Sequence, residues 1–197
     1  MAEIGRKNML VRKLGHGLAF ALVIAAGSAG AQQLTDRQLI NTLGQAAATA
    51  AAIDPALLAQ EVEANLGKGL AGQPAWTQLA QLAQLAVEID FENDSVAIEP
   101  ASYRTIGLIA DALHHPILLP YKFMIVGHSS STGDAKHNLK LSQDRAVAIM
   151  EALSTTFAVA PNRLFAIGVG QEQPIDPANP KAAANRRVQL INIGRAK

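Results

Sequence analysis

Tyr121-Lys122-Phe123-Met124-Ile125-Val126-Gly127-His128-Ser129-Ser130-Ser131-Thr132-Gly133 runs, four residues later, into Asn138-Leu139-Lys140-Leu141-Ser142-Gln143-Asp144-Arg145-Ala146. An apolar run feeds a Gly/Ser loop, and the loop feeds an amphipathic segment. This order predicts a strand, a turn and a helix, with room for a small ligand between loop and helix. Asn138, Leu141 and Arg145 are spaced to project from one helix face. A guanidinium fork suits a carboxylate, because two parallel N–H bonds match its two oxygens. Taken alone, Arg145 reads as a solvated helix charge.

Outward from this stretch the same alternation of elements continues. Val87, Ile89 and Phe91 alternate with Glu88, Asp90 and Glu92, the period-two pattern of a strand with one buried face. Asn93-Asp94-Ser95 is turn chemistry. Pro100 opens a helix with Tyr103, Ile106, Ile109, Ala110 and Leu113 on one side. Tyr121 to Val126 is apolar on both faces, which predicts a central strand. A long helix is expected over 138–157, a strand over 164–169, a proline-containing loop over 170–185, and a closing strand that alternates over 187–193. The predicted fold is α+β, in the order β-α-β-α-β-loop-β, with helices covering one or both faces of a small mixed sheet.

Residues 32–85 read as a helical region of unknown role. Thr35-Asp36-Arg37-Gln38 fits a capping box, and Asp54-Pro55 a second helix start. Trp76 to Leu85 reads as a third helix, with Leu79, Leu82 and Leu85 at three-residue spacing. The apolar stripes are narrow, so these helices are expected to pack on the following domain or on a partner. Trp76, the one tryptophan of the chain, is expected to be a core anchor. Residues 1–31 read as a cleaved signal peptide: Arg6, Lys7, Arg12 and Lys13 precede the uncharged stretch Leu18 to Ala26 and the small-x-small Ala29-Gly30-Ala31. The remainder carries 13 basic and 15 acidic residues, with no basic tract for nucleic acid. The chain has no cysteine, which excludes disulfides, thiolate metal sites, cysteine nucleophiles and a lipid-modified cysteine.

Two other chemistries fail on residue spacing. His114, His115, His128 and His137 lack zinc-site spacing. Gly127-His128-Ser129 resembles a hydrolase nucleophile elbow, but Ser131 stands at its second glycine and no histidine follows His137. No enzymatic activity and no cofactor are expected.

Four blocks, in order, carry a family resemblance: Ile89 to Ser95 with Ile98 and Pro100; Gly127-His128 through Gly133; Asn138, Leu141, Ser142, Arg145 and Ala146; and Asn185-Arg186-Arg187-Val188. Residues 86–197 thereby resemble the OmpA-like C-terminal domain of bacterial envelope proteins, which binds peptidoglycan without covalent attachment. The resemblance implies a Gram-negative source, a periplasmic location near the cell wall or outer membrane, and a ligand in the diaminopimelate stem. It implies that Arg145 grips the stem's carboxylate, with Asp94, Ser130, Asn138 and Leu141 lining the pocket. It also exposes a departure, since Ser130 stands where the family places an aspartate for the ammonium. Weakened binding, replacement by Asp94 or Asp134, and preference for an altered stem are the three open consequences. His128 is expected to be packed or bonded to backbone, and Arg186 and Arg187 to pair with Asp90 or another carboxylate. The region before the domain lacks the repeated alternating strands of a membrane barrel. Other envelope proteins are candidate partners for residues 32–85; nucleic acid and a membrane-spanning segment of the mature chain are not expected. The alternative is an OmpA-like scaffold that binds no murein and mediates protein contacts in an envelope or secretion assembly.

Overall fold

The computed structural model describes residues 22–24, 34–45 and 53–195. The expected signal peptide lies outside these residues except for Leu22–Ile24, a short strand (β1). The other elements are α1 (Asp36–Leu43), α2 (Pro55–Ala64), α3 (Pro74–Leu79), β2 (Gln84–Val87), α4 (Tyr103–His114), β3 (Tyr121–His128), α5 (Ala135–Glu151), β4 (Leu164–Gly170) and β5 (Val188–Arg195). The strands form one mixed sheet in the order β1-β2-β5-β3-β4. β1 and β2 are parallel, as are β3 and β4, while β5 runs antiparallel to both β2 and β3. This is the α+β architecture expected, with β3 central.

Both faces of the sheet are covered. Phe123 and Ile125 of β3, with Val188 and Leu190 of β5, face a core closed by Leu39 and Leu43 of α1, Ile106, Ile109 and Leu113 of α4, and Ala146 and Ile149 of α5. The alternate residues Met124, Val126, Ile191 and Ile193 face a second core closed by Leu58 and Val62 of α2 and Trp76 and Leu79 of α3. The helical region therefore packs on the sheet. Polar links hold it there: Asn192 Nδ2 donates to Leu43 O (2.8 Å), and the Glu172 carboxylate accepts from Gly67 N and Gly69 N (both 2.9 Å). The expected helix starts are present, Thr35 and Gln38 forming a reciprocal capping box and Asp54 accepting from Ala56 N.

Three boundaries differ from the sequence reading. The helix expected over 76–85 ends at Leu79, and Gln84–Val87 is a strand. All four strand residues are buried, so no alternation marked it. The strand expected to continue to Phe91 stops at Val87, because the chain there turns on itself: Asp90 N donates to Ser102 Oγ (2.8 Å), Glu99 N to Asp90 O (3.0 Å), and Glu92 N to Ala97 O (3.0 Å). Val87 and Ile89 still point inward, as their spacing predicts. The long helix is regular only to Glu151 and finishes in a wider π turn over Ala152–Thr156.

α5 lies unusually close to the sheet. A β-carbon on Gly127 would come within 2.2 Å of Ser142 O, and one on Gly168 within 2.2 Å of Gln143 N. Only glycine admits a helix at this separation. Close approach also lets α5 cover the free edge of β4: Gln143 Oε1 accepts from Gly168 N (2.6 Å), Ser142 Oγ accepts from Gly170 N (2.8 Å), and Gln143 Nε2 donates to Ala166 O (3.3 Å). Sheet-edge groups that would invite another strand are thus engaged, and the orientation of α5 toward the loop after β3 is fixed.

Candidate functional site

Where β3 ends, the loop 129–133, the start of α5 and the turn 90–95 enclose a cavity of about 600 Å³. Asp94, Ser130, Asn138, Leu141 and Arg145 all line it. Asp134, considered as a substitute acid, does not; its Oδ1 accepts from His137 N (2.9 Å) and caps α5.

Arg145 is half-buried. Its Nε donates to Ser95 O (2.9 Å) and one Nη to Glu92 O (3.3 Å), and the guanidinium lies over the Phe91 ring, 4.8 Å from its centroid. Five N–H donors belong to a guanidinium, so these two contacts aim the group and leave its outer edge for a ligand. Among the described residues no carboxylate lies within ion-pair distance of it. Burial lowers its pKa from the usual arginine value, the nearby Arg186 lowers it further, and Asp94 opposes both. It stays charged at neutral pH.

The loop is held by Asn138, whose Nδ2 donates to Ser130 O (3.3 Å), Thr132 O (3.1 Å) and Gln171 Oε1 (2.9 Å). Its amide nitrogen is thus engaged in shaping the cavity wall. Ser130 is buried and its hydroxyl donates to Thr132 Oγ1 (3.3 Å). Asp94 sits at φ 49°, the left-handed region that aspartate tolerates better than most residues, and its Oδ1 meets His137 Nε2 at 2.9 Å. This contact ties the turn to the first turn of α5.

Some lining residues escaped the sequence reading. Glu88 and Asp90, read as the outward face of a strand, line the cavity, as do His137 and Arg186. The charges fall into two banks: carboxylates of Glu88, Asp90 and Asp94 on the segment after β2, and guanidiniums of Arg145 and Arg186 on α5 and the segment before β5. The hydroxyls of Ser129, Ser130 and Thr132 complete a polar wall. Arg186 follows the short turn Ala183–Asn185, where Asn185 Oδ1 accepts from Ile175 N (2.8 Å) and Asp176 N (3.0 Å). That asparagine pins the proline-containing loop and brings Arg186 back to the cavity across a long sequence distance.

The expectation that Arg186 and Arg187 pair with carboxylates is not met: among the described residues neither has an ion-pair partner, and Arg187 Nη2 donates to Gln173 O (3.1 Å) instead. His128 is buried at the end of β3, edge-on to Trp76 with ring centroids 6.3 Å apart. Ser129 Oγ is buried without a hydrogen-bond partner among the described residues, so no histidine there activates it. No group of three potential metal ligands occurs among the described residues, and no helix among them is long and apolar enough to cross a membrane.

The sequence model of the OmpA family matches residues 90–187, which span the cavity. The chain is 32% identical over 114 residues to outer membrane porin F of Pseudomonas fluorescens, covering 56% of this chain and 34% of that protein. It is 30% identical over 140 residues to outer membrane porin F of Pseudomonas aeruginosa, covering 70% and 38%. It therefore spans about a third of the length of these two relatives. Among solved structures it is similar to the peptidoglycan-associated lipoprotein of Burkholderia pseudomallei, at 27% identity and a TM-score of 0.44, covering 54% of this chain and 88% of that one. Residues 90–187 of this chain are a domain of the OmpA family.

Proposed function

We infer that this domain binds peptidoglycan in the periplasm through the cavity at Arg145, holding an envelope component to the cell wall without performing chemistry. The observation that carries the reading is a guanidinium in an open cavity with no carboxylate among the described residues within ion-pair distance of it. A ligand carboxylate is the natural counterion, and the fork geometry makes that contact specific. Diaminopimelate carries a carboxylate and an ammonium on one carbon, so it needs an acid near the guanidinium. Ser130 supplies none. Glu88, Asp90 and Asp94 line the same cavity, and we assign the ammonium to them rather than to the loop after β3. The helical region, with α1 on one face of the sheet and α2 and α3 on the other, is available to other envelope proteins.

The test is retention of the purified protein on murein sacculi, with sacculi whose stems carry lysine in place of diaminopimelate as the comparison. Lysine keeps the ammonium and lacks the carboxylate. Retention on diaminopimelate sacculi alone is expected. Equal retention on both removes the Arg145 contact from the account. No retention on either, beside a positive control, favours the scaffold reading, to which the neutral Ser130 already lends some weight.

A further inference from the structure

Behind the cavity, and sharing Arg145 and Arg186 with it, is a second hollow of about 20 Å³. Arg187, His128 and Ser142 complete its polar lining, beside the apolar Ile89, Phe91 and Val188. Three guanidiniums thus border one small space, and no carboxylate lines it. The innermost is the least satisfied. Arg187 donates one bond, to Gln173 O, while its Nε and Nη1 are buried with no partner among the described residues. Burial lowers its pKa to about 10, so it remains a cation at neutral pH. His128, only 3% exposed, also borders the hollow. Burial first, and the charge of Arg187 second, lower its pKa, while hydrogen bonding to the Gln189 side chain and the Gln173 backbone opposes them.

Buried donors are almost always partnered, and a buried charge is normally paired as well. The volume limits what can do both. A space of this size accepts one water-sized or halide-sized atom, since about 10–15 Å³ suffices for one such sphere. It is too small for a carboxylate or a phosphate. Water would satisfy donors but leave the charge of Arg187 uncompensated in a low-dielectric surround. A single-atom anion answers the N–H groups and the charge together.

We propose that this hollow is a binding site for one small monovalent anion, with chloride as the physiological occupant, held between Arg187 and the inner sides of Arg145 and Arg186. The site adjoins the cavity and shares Arg145 and Arg186 with it. Its effect is structural: it neutralises the cationic floor on which Arg145 and the loop after β3 rest.

The experiment uses the full chain in sodium chloride and in sodium gluconate at matched ionic strength. The melting temperature should rise with chloride and saturate, and the ³⁵Cl resonance should broaden beyond the solvent value. Arg187→Gln should weaken chloride affinity by about tenfold or more, the loss of a charge-assisted bond. Should that variant fail to fold, Arg186→Gln, at an exposed position on the rim, should fold and bind chloride more weakly. Identical melting in the two salts with no excess line width overturns the proposal. So does broadening that both variants leave unchanged.

Discussion

Two arginines, Arg145 and Arg187, border the same small hollow and differ in one respect: access. Both lack an acid partner among the described residues. Arg145 has its Nε and one Nη fixed by backbone carbonyls and its outer edge toward an open cavity. Arg187 is set deeper, with Nε and Nη1 buried and unpartnered among the described residues beside a hollow of about 20 Å³. An unpaired cation on an open cavity costs little until a ligand arrives, because water screens it. A cation with two of its nitrogens buried loses part of that screening and carries the cost at all times. The contrast teaches that an unpaired charge points to a ligand site only together with the space in front of it: room for a stem peptide in one case, for one atom in the other.

The comparison breaks most readily at Arg145. Arg145→Ala should lower affinity for a diaminopimelate stem peptide about 100-fold or more in calorimetric titration, since a charge-assisted bidentate contact is lost. Melting should show a modest loss of about 1–2 kcal/mol from the two turn contacts. If affinity is unchanged, the open arginine is no more a ligand group than the closed one. The acidic bank is tested next. Glu88→Gln combined with Asp90→Asn should weaken binding about tenfold, and a null effect there would move the ammonium elsewhere in the cavity. Ser130→Asp should tighten binding by about tenfold, as a carboxylate joins the loop beneath the ammonium; unchanged or weaker affinity would indicate that the cavity accepts a differently arranged ligand.

The smallest effect concerns the closed region and pH. Unfolded His128 takes up a proton near pH 6.5, whereas the buried ring titrates well below that. Below about pH 6.5 the unfolded state therefore binds a proton that the folded state does not, so stability falls as pH falls, by up to about 1.4 kcal/mol per pH unit until the folded value is reached. Chemical denaturation at pH 7 and pH 5 should show this slope, and His128→Gln should reduce it. A variant with the same pH dependence as the parent would mean that His128 is not the group responsible.

Much of this was legible in the sequence where one pattern answered one question. The spacing of Asn138, Leu141 and Arg145 placed them on one helix face, and the apolar run from Tyr121 announced a strand buried on both sides. The capping residues Thr35 and Asp54 marked helix starts because capping is decided within a few residues. Failure came where burial erased the pattern. Gln84–Val87 is covered on both faces, so Leu85 fell into apparent helical register with Leu79 and Leu82. β5, expected to alternate, is buried from Val188 to Ile193. The site was legible only in part for a different reason. Glu88 and Asp90 enter the cavity because the chain leaves the sheet after Val87, and Arg186 because Asn185 pins a distant loop; neither event has a local signature. The environment of Arg187 is a property of packing alone.

The most direct test of the central claim is the electron density of a crystal of this protein soaked with diaminopimelate. The account predicts the ligand in the cavity, its carboxylate against the outer edge of the Arg145 guanidinium and its ammonium toward Glu88, Asp90 or Asp94. Density elsewhere, or a ligand in the cavity that leaves Arg145 without a carboxylate contact, would contradict it.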